Sequence, residues 1–462
     1  MKLKKLTALL LAALMALSMV ACGGGKKQTL ATDMSGELVV WTLANDLIQF
    51  SDKFMEAYPD VTVETIVIAP ADYPTKLQTA LLGGETEPDI IVGEPQMLGN
   101  WYDAGFFANL DEFGAQDYAG DIVDYVWKVG QSPDGAQRAI SYQITPAGFY
   151  YRRDIAKEVF GTDDPEEIGK LFADYDTMLE TGRTLKEAGY RIFASDAEFS
   201  YFAGDSAWVI DNKLNLNDAR VEYMDMCVAF YQEDLTAYAA QWTAPWYQGM
   251  SGEVPVLTEE VMWGDWADDD GDGQAALNVW DAENFNANVG NYTDETTEIF
   301  AYGLPAWGVL TMRDNVGDLS GSYGVCAGPA YGFGGGTFIG ISEQSERKAL
   351  AWEYVKFCTL TESTLEWWIE ASQGDTVSLI PVLEKHKNDE NPVYGNQKLY
   401  SFWLEQAEGI DYSKVTKYDT LINDAWGAAI TDVKQGTKTK DEAINEFYDK
   451  VAATYPELTI ER

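Results

Sequence analysis

Short strands and helices alternate along the first folded stretch of the chain, and this alternation limits the possible folds most. The predicted order is strand 38–41, helix 46–58, strand 61–66, helix 72–82 and strand 89–92. The last strand is continuously apolar, as in parallel strands that are buried on both faces. Alternation of this kind predicts an α/β fold with a doubly wound sheet, whose ligands bind at the carboxyl ends of the strands.

The middle of the chain, residues 147–330, is richer in helices and in aromatic residues. Helical spacing predicts helices at 175–188 and 221–231. Residues 241–308 carry aromatic side chains interleaved with Gly, Asp and Asn: Trp242, Trp246, Tyr247, Trp263, Trp266, Trp280, Tyr292, Tyr302 and Trp307. A tryptophan cluster usually forms core. Because loops rarely bury so many aromatic rings, this density favours a cleft.

The N-terminus has the pattern of a bacterial lipoprotein signal. Lys2, Lys4 and Lys5 precede an apolar run over 6–20, which ends at Ala21-Cys22. We expect a signal peptide over 1–21, an acylated Cys22, and a flexible tether over 22–36. The predicted location is the extracellular face of the cytoplasmic membrane, with a plain secretory signal as the alternative. About 425 residues remain, enough for two or more domains.

The charge of the chain excludes several classes of partner. It has 32 basic and 75 acidic residues, a net charge of -43. A field of this sign repels nucleic acid and anionic lipid, so we expect membrane contact only through the lipid anchor. It suits a cationic solute, whereas the aromatic cluster favours a neutral glycan. The thiols besides Cys22 are Cys227, Cys326 and Cys358, an odd set in apolar surroundings that predicts no disulfide framework or zinc site.

Enzymatic functions fit the sequence less well. The one histidine, His386, excludes two-histidine zinc motifs, and neither a G-x-S-x-G elbow nor a phosphate-binding P-loop is present. Glycoside hydrolysis requires only two carboxylates and remains the enzymatic alternative. The eight-fold rhythm of a barrel enzyme is missing after Val92. A surface adhesin would show repeats or many short strands, and neither pattern is found.

Several segments together resemble one family, the extracellular solute-binding proteins of carbohydrate ABC importers, which includes maltose-binding protein. In the family's order they are 54–63, 76–92, 145–154, 303–308, 328–337 and 351–357. The third segment departs from the family at Arg152, where Asn is common. The resemblance implies a type II periplasmic-binding-protein fold, in which crossing segments join two α/β lobes and a hinge closes them on ligand.

The resemblance also implies boundaries and partners. We expect crossings near 137–143, 335–341 and 375–382. Lobe one would then be 37–140 with 338–380, and lobe two 141–337 with 381–462. The implied protein is a monomeric, non-catalytic receptor that needs no cofactor, binds a carbohydrate and delivers it to ABC permease subunits. The same fold could instead bind a non-sugar solute such as a polyol, a glycerophosphoryl compound or a polyamine.

Sugar recognition requires flat apolar faces for the ring and planar polar groups for the hydroxyls. The candidate ligand-binding residues follow strand ends, a crossing or the aromatic cluster: Trp41, Asn45, Asp46, Glu94, Tyr142, Trp246, Trp266, Trp307 and Thr337. Trp41 could instead pack under the sheet, and Tyr142 could belong to the hinge core.

An acidic run resembles part of a calcium loop. Asp268, Asp270 and Asp272 with Gly273 fit positions one, three, five and six, where alternate carboxylates converge on the ion. Position twelve is Val279, so a remote Glu253 or Glu283 would have to complete the site. The sequence therefore allows a structural calcium ion, with a solvated acidic turn as the alternative.

Overall fold

The computed structural model describes residues 34–70, 72–204, 206–257 and 297–462. Its strands are β1 (Gly36–Thr42), β2 (Val61–Val67), β3 (Ile90–Gly93), β4 (Ala139–Ser141), β5 (Ala147–Arg152), β6 (Arg191–Phe193), β7 (Val209–Ile210), β8 (Lys213–Leu214), β9 (Ile299–Pro305), β10 (Tyr323–Cys326) and β11 (Phe338–Ile341). In the described part of the chain, no helix combines the length and the apolar character needed to cross a membrane.

The α-helices pack against the sheets and against one another. They are α1 (Asp46–Ala57), α2 (Tyr73–Leu82), α3 (Pro95–Asp103), α4 (Asp124–Val129), α5 (Arg153–Phe160), α6 (Pro165–Gly169), α7 (Tyr175–Glu187), α8 (Asp218–Gln232), α9 (Ala244–Met250), α10 (Gly308–Asn315), α11 (Lys348–Thr359), α12 (Glu362–Ser372), α13 (Ile380–His386), α14 (Leu399–Glu408), α15 (Asp419–Lys434) and α16 (Lys440–Thr454).

The first sheet has five strands in the order β2-β1-β3-β11-β4. Strand β1 lies parallel to β2 and to β3, whereas β11 returns antiparallel between β3 and β4. All of β3 is buried, as expected for a strand with helices over both faces. Because β1 and β3 run parallel, their carboxyl ends meet at one edge of the sheet. Glu94 directly follows β3, and Asp46 begins the helix that follows β1.

Helix α1 shows why the sequence pattern predicts this part of the fold correctly. Its buried residues Leu47, Phe50 and Phe54 recur every three or four positions and form one apolar face. The ring of Phe54 meets Tyr354 of α11 edge-on at 5.2 Å. The strands and helices predicted over 38–92 and the helices predicted at 175–188 and 221–231 are confirmed, with ends shifted by a few residues at most.

The second sheet has four strands in the order β10-β5-β9-β6. Strand β9 is antiparallel to β5 and parallel to β6, and both β5 and β9 are buried along their whole length. Phe149 of β5 stacks on Phe172 at 4.5 Å within this second core. The predicted free thiols, Cys227, Cys326 and Cys358, are all buried, and burial raises the pKa of each.

Three segments pass between the sheets side by side. Residues 142–146 lead from β4 to β5, and the amide of Ser378 donates to the carbonyl of Tyr142 at 2.7 Å. The hydroxyl of Thr376 donates to the carbonyl of Ile144 at 2.6 Å. On the other side, the amide of Gly334 donates to the carbonyl of Thr145 at 3.2 Å. These bonds tie the segments 142–146, 333–337 and 375–379 into one connection.

The result is the α/β architecture that the sequence predicts, with one lobe built on each sheet. We call the part around the five-stranded sheet the first lobe and the part around the four-stranded sheet the second lobe. The residue limits predicted for the lobes, 37–140 with 338–380 and 141–337 with 381–462, stay predictions.

Candidate functional site: the cleft between the lobes

Three tryptophan rings form a column in the second lobe. Trp242 lies between Trp246, at 5.0 Å, and Trp307, at 5.7 Å and nearly parallel to it. Trp246 is fully buried, whereas Trp242 and Trp307 are half-buried. The indole N–H of Trp307 donates to the carbonyl of Gly334 at 3.0 Å, which fixes the orientation of this ring. The column therefore presents a rigid aromatic face at Trp307.

The column rests on a buried carboxylate, Glu198. Its oxygens accept hydrogen bonds from the indole of Trp246 at 2.7 Å, the amide of Gly303 at 2.8 Å and the side chain of Gln241 at 3.3 Å. Burial raises the pKa of Glu198 to about 8, and these donors act in the opposite direction. Because its hydrogen-bonding capacity is used inside the protein, Glu198 is a support for the column.

Glu94 of the first lobe faces the column. It follows β3 and precedes α3, and its carboxylate accepts a hydrogen bond from the side chain of Gln96. A β-carbon added at Gly335 would lie 3.2 Å from Trp307 Nε1 and 4.0 Å from Glu94 Oε1. Burial raises the pKa of Tyr201, and the negative charges of Glu198 and Glu94 raise it further, so Tyr201 lies near both carboxylates. Residues of both lobes and of a crossing segment thus meet in one cleft.

Gly335 should be sensitive to substitution because of this close approach. Its φ is +69°, a conformation that L residues rarely adopt. We expect Gly335→Ala to weaken ligand binding roughly ten-fold, since the new methyl group would press on the Trp307 indole and narrow the gap to Glu94. Isothermal titration calorimetry would measure this change.

Gly161 provides the matched control for that substitution. It also has a positive φ, +75°, at the end of α5, but a β-carbon there would meet nothing within 4 Å. Gly161→Ala should lower stability through backbone strain, by about 1 kcal/mol, and leave affinity unchanged. Equal affinity losses in the two variants would show that strain alone, and not contact with the cleft, explains the result.

A second polar group lies where the first lobe meets the crossing segments. The hydroxyl of Tyr142 donates to the carboxylate of Asp46, and the side chain of Gln143 donates to that hydroxyl at 2.7 Å. The ring of Tyr142 is fully buried between Phe50, at 4.8 Å, and Trp368, at 5.8 Å. Burial raises the pKa of Asp46, and the bond from Tyr142 partly offsets this. Asp46 is therefore held in place by the hinge.

Asp375 is fully buried in the third crossing segment and should make stability depend on pH. Burial and the nearby charge of Asp46 raise the pKa of Asp375 to about 7. The indole of Trp368 donates a hydrogen bond to this carboxyl group at 2.9 Å, which lowers the pKa and offsets part of the rise. Between pH 4 and 7 the folded state keeps a proton that the unfolded state has lost, so the free energy of unfolding falls as pH rises.

Urea denaturation of the wild type and of Asp375→Asn at several pH values would test this. The difference in free energy of unfolding, wild type minus variant, is expected to fall by up to about 1.4 kcal/mol per pH unit between pH 4 and 7. A difference that stays constant over this range would contradict the assignment.

The structure brings some of the predicted site residues together and separates others. Glu94 and Trp307 meet across the cleft, while Asp46 and Tyr142 form the hinge pair. The remaining predicted residues in the described part lie as follows: Trp41 half-buried in β1, Asn45 exposed at the start of α1, Trp246 buried behind Trp242, and Thr337 buried beside β11. Which of them contact a ligand stays a prediction.

Other predictions fall outside the described residues. These are Trp266, the calcium candidates Asp268, Asp270 and Asp272, the lipidation site Cys22, and the signal peptide over 1–21. Among the residues described, no group of three or more His, Cys, Asp or Glu side chains could hold a metal ion.

Sequence reasoning missed two aromatic residues and one polar residue of the cleft. Trp242 belongs to the aromatic cluster, but nothing in the sequence separates it from Trp246, and only the fold places it beside Trp307. Tyr201 lies in a stretch of mixed polar and aromatic residues that gives no local signal. The one local signal at Gln96 is its position shortly after a strand. A search for polar residues directly after β3 could have found Gln96 together with Glu94.

Comparison with known families now identifies the class of protein. The profile of the bacterial extracellular solute-binding proteins matches residues 49–392, which is most of the chain. The chain belongs to this family, and the resemblance noted in the sequence is confirmed. Members of the family are extracellular proteins that bind solutes.

Solved structures with low sequence identity share the fold. A protein described as an extracellular solute-binding protein of family 1 is 19% identical, with a TM-score of 0.70 over 90% of this chain and 99% of its own. The galacto-N-biose/lacto-N-biose I-binding protein of an ABC transporter from Bifidobacterium longum, solved with lacto-N-biose, is 12% identical, with a TM-score of 0.67 over 93% and 100%. The sugar-binding protein MalE from Xanthomonas citri is 15% identical, with a TM-score of 0.66 over 91% and 98%.

Proposed function

We propose that this protein captures a carbohydrate, most suitably an oligosaccharide, in the cleft between its lobes and delivers it to the permease of an ABC importer. The observation that carries the proposal is the half-buried ring of Trp307, which is stacked on Trp242 and whose Nε1 edge lies near the Glu94 carboxylate at Gly335. An aromatic face packs against the C–H surface of a sugar ring, and a carboxylate accepts hydrogen bonds from its hydroxyls. Lacto-N-biose bound to a protein of the same fold supports this choice of ligand class.

The arrangement of the carboxylates supports binding without chemistry. A glycosidase needs two carboxyl groups on either side of the scissile bond, one as acid and one as base or nucleophile. Here Glu198 is fully buried and already accepts three hydrogen bonds, so it is unsuited to act on a ligand. Of the two carboxylates described near Trp307, Glu94 is then the one that can accept hydrogen bonds from a sugar, since it accepts a single side-chain hydrogen bond, from Gln96.

Closure of the cleft would follow from contacts with both lobes. A ligand shifts an equilibrium between open and closed forms only by its differential affinity for the two. Glu94 belongs to the first lobe and Trp307 to the second, so a sugar held between them favours the closed form. Small-angle X-ray scattering should show a smaller radius of gyration after sugar binding.

A thermal-shift screen tests the ligand class. The mature protein, purified in detergent, would be heated with mono- and oligosaccharides, polyols and polyamines, since a ligand of the native state raises the melting temperature. We expect a shift with carbohydrates and recovery of the sugar intact. New reducing ends would indicate the glycosidase alternative. Shifts with polyols or polyamines alone would show that the ligand of this receptor is a non-sugar solute.

The lipid anchor is a separate part of the proposal and rests on the pattern around Cys22. Acylated Cys22 would hold the receptor on the outer face of the cytoplasmic membrane, close to its permease. In cell fractionation the wild type should be found in the membrane fraction and Cys22→Ser in the medium. A wild-type protein that is released into the medium would contradict the anchor and leave the receptor function unaffected.

A further inference from the structure

Two carboxylates at the cleft and hinge have no cationic partner in the described part of the chain. Glu94 accepts a hydrogen bond from the neutral side chain of Gln96, and Asp46 accepts one from the neutral hydroxyl of Tyr142. Since Tyr142 also accepts a hydrogen bond from Gln143, its own proton is directed at Asp46. Neither carboxyl group is therefore paired with a basic side chain of the described residues.

The basic residue whose charge reaches the buried Asp375 of the hinge is already engaged. Arg313 donates to the carboxylate of Asp314 at 2.7 Å and to the carbonyl of Ser372. Its charge acts on the buried Asp375, and it makes no ion pair with Glu94 or Asp46 among the ion pairs of the described residues.

The sequence extends this observation to the whole segment that carries the tryptophan column. Between Arg220 and Arg313 there is no lysine, arginine or histidine, and the same segment carries 17 acidic residues. Residues 258–296, which lie between the described parts 206–257 and 297–462, belong to this segment and therefore contain no basic side chain either.

A half-buried carboxylate without a counter-charge is unfavourable, and more so when a closing cleft removes water from it. Burial already raises the pKa of Glu94. The hydroxyls of a neutral sugar would give hydrogen bonds but no charge, whereas an ammonium group would give both.

We propose that the cleft selects carbohydrates that carry a protonated amine, whose ammonium group pairs with the Glu94 carboxylate beside Trp307. This inference rests on the proposed function and narrows its ligand class. It also predicts that sugars with carboxylate, phosphate or sulfate groups are rejected, because they would meet Glu94 with like charge.

Matched sets of sugars provide the test. The members of a set have the same ring and linkage and differ only at C2, which carries a free amine, an N-acetylated amine or a hydroxyl. The first set is glucosamine, N-acetylglucosamine and glucose. The second is the corresponding galactose series, and the third consists of β-1,4-linked oligomers of the first. Thermal shift and calorimetry on the mature protein, at a pH where the amine is protonated, would rank them. The amine form is expected to bind at least ten-fold more tightly than its two counterparts.

Variants at position 94 show whether this preference comes from the carboxylate. Glu94→Gln keeps the size of the side chain and should remove the preference for the amine, whereas Glu94→Asp keeps the charge and should retain part of it. Glu85 is exposed in the turn that precedes β3, at the opposite end of that strand from Glu94. Glu85→Gln removes the same charge and should leave the preference unchanged.

The outcomes separate the inference from the proposed function. Two outcomes would overturn the inference and keep the carbohydrate receptor. In the first, neutral or N-acetylated sugars bind as tightly as the amines. In the second, the preference for amines survives in Glu94→Gln. Shifts with acyclic polyamines and none with any sugar would overturn the carbohydrate proposal itself. No shift with any member of the sets, while another sugar raises the melting temperature, would overturn the inference and keep the carbohydrate receptor.

Discussion

Replacing Trp307 by alanine is expected to weaken sugar binding about 100-fold with little change in the fold. The ring is half-buried, and it gives the outermost aromatic face of the column formed with Trp242 and Trp246. Truncation of an aromatic side chain at the centre of a binding site typically weakens binding by about 2 to 4 kcal/mol. Calorimetry with the sugar that gives the largest thermal shift would measure the loss.

Two further variants distinguish loss of the aromatic face from general damage. Trp307→Phe keeps an aromatic face but loses the hydrogen bond to Gly334, so it should lie between the wild type and the alanine variant. Trp367 is also half-buried, but it packs on Phe50 and under Lys53 of the first lobe. Trp367→Ala should leave affinity unchanged. An unchanged affinity in Trp307→Ala would show that ligand binds elsewhere.

Glu198→Ala is expected to lower the free energy of unfolding by about 4 kcal/mol. The substitution leaves three buried donors without an acceptor: the indole of Trp246, the amide of Gly303 and the side chain of Gln241. Each unsatisfied buried donor costs about 1 to 3 kcal/mol, and relaxation around the new cavity recovers part of the sum. Urea denaturation followed by tryptophan fluorescence would measure the change.

The same variant should bind sugar more weakly, because Trp246 no longer holds Trp242 and Trp307 in line. Glu198→Gln is the conservative comparison: it retains one acceptor oxygen but turns an amino group toward the remaining donors, so its loss of stability should be smaller but clear. Glu187, exposed on α7, serves as the control, and Glu187→Ala should change stability by less than about 0.5 kcal/mol. A Glu198→Ala protein as stable as this control would contradict the supporting role of Glu198.

The parts of the fold that could be predicted from sequence are those set by local patterns. Leu47, Phe50 and Phe54 recur with the period of a helix, and α1 forms there with these residues buried. The continuous apolar run before Gly93 forms the buried strand β3. Glu94 could be found because polar residues that follow such a strand lie at its carboxyl end, where ligands bind in α/β sheets.

The rest depends on contacts between distant residues. Trp242 and Trp246 are alike in sequence context, yet one lines the cleft and the other is buried on Glu198. Trp242 also has a φ of +67°, which is uncommon for a large side chain and which no propensity predicts. Tyr201 approaches Glu94 only because the two lobes face each other. Positions of this kind require the three-dimensional arrangement.

The place of β11 in the first sheet has a consequence for export. Strand β4 joins that sheet only through β11, which comes about 200 residues later in the chain and lies between β3 and β4. The nascent protein therefore cannot complete its first lobe until residue 341 has been made, and such long-range pairing is slow to form. A chain that is exported unfolded must not complete its fold before it crosses the membrane. Late closure of this sheet would favour that order of events.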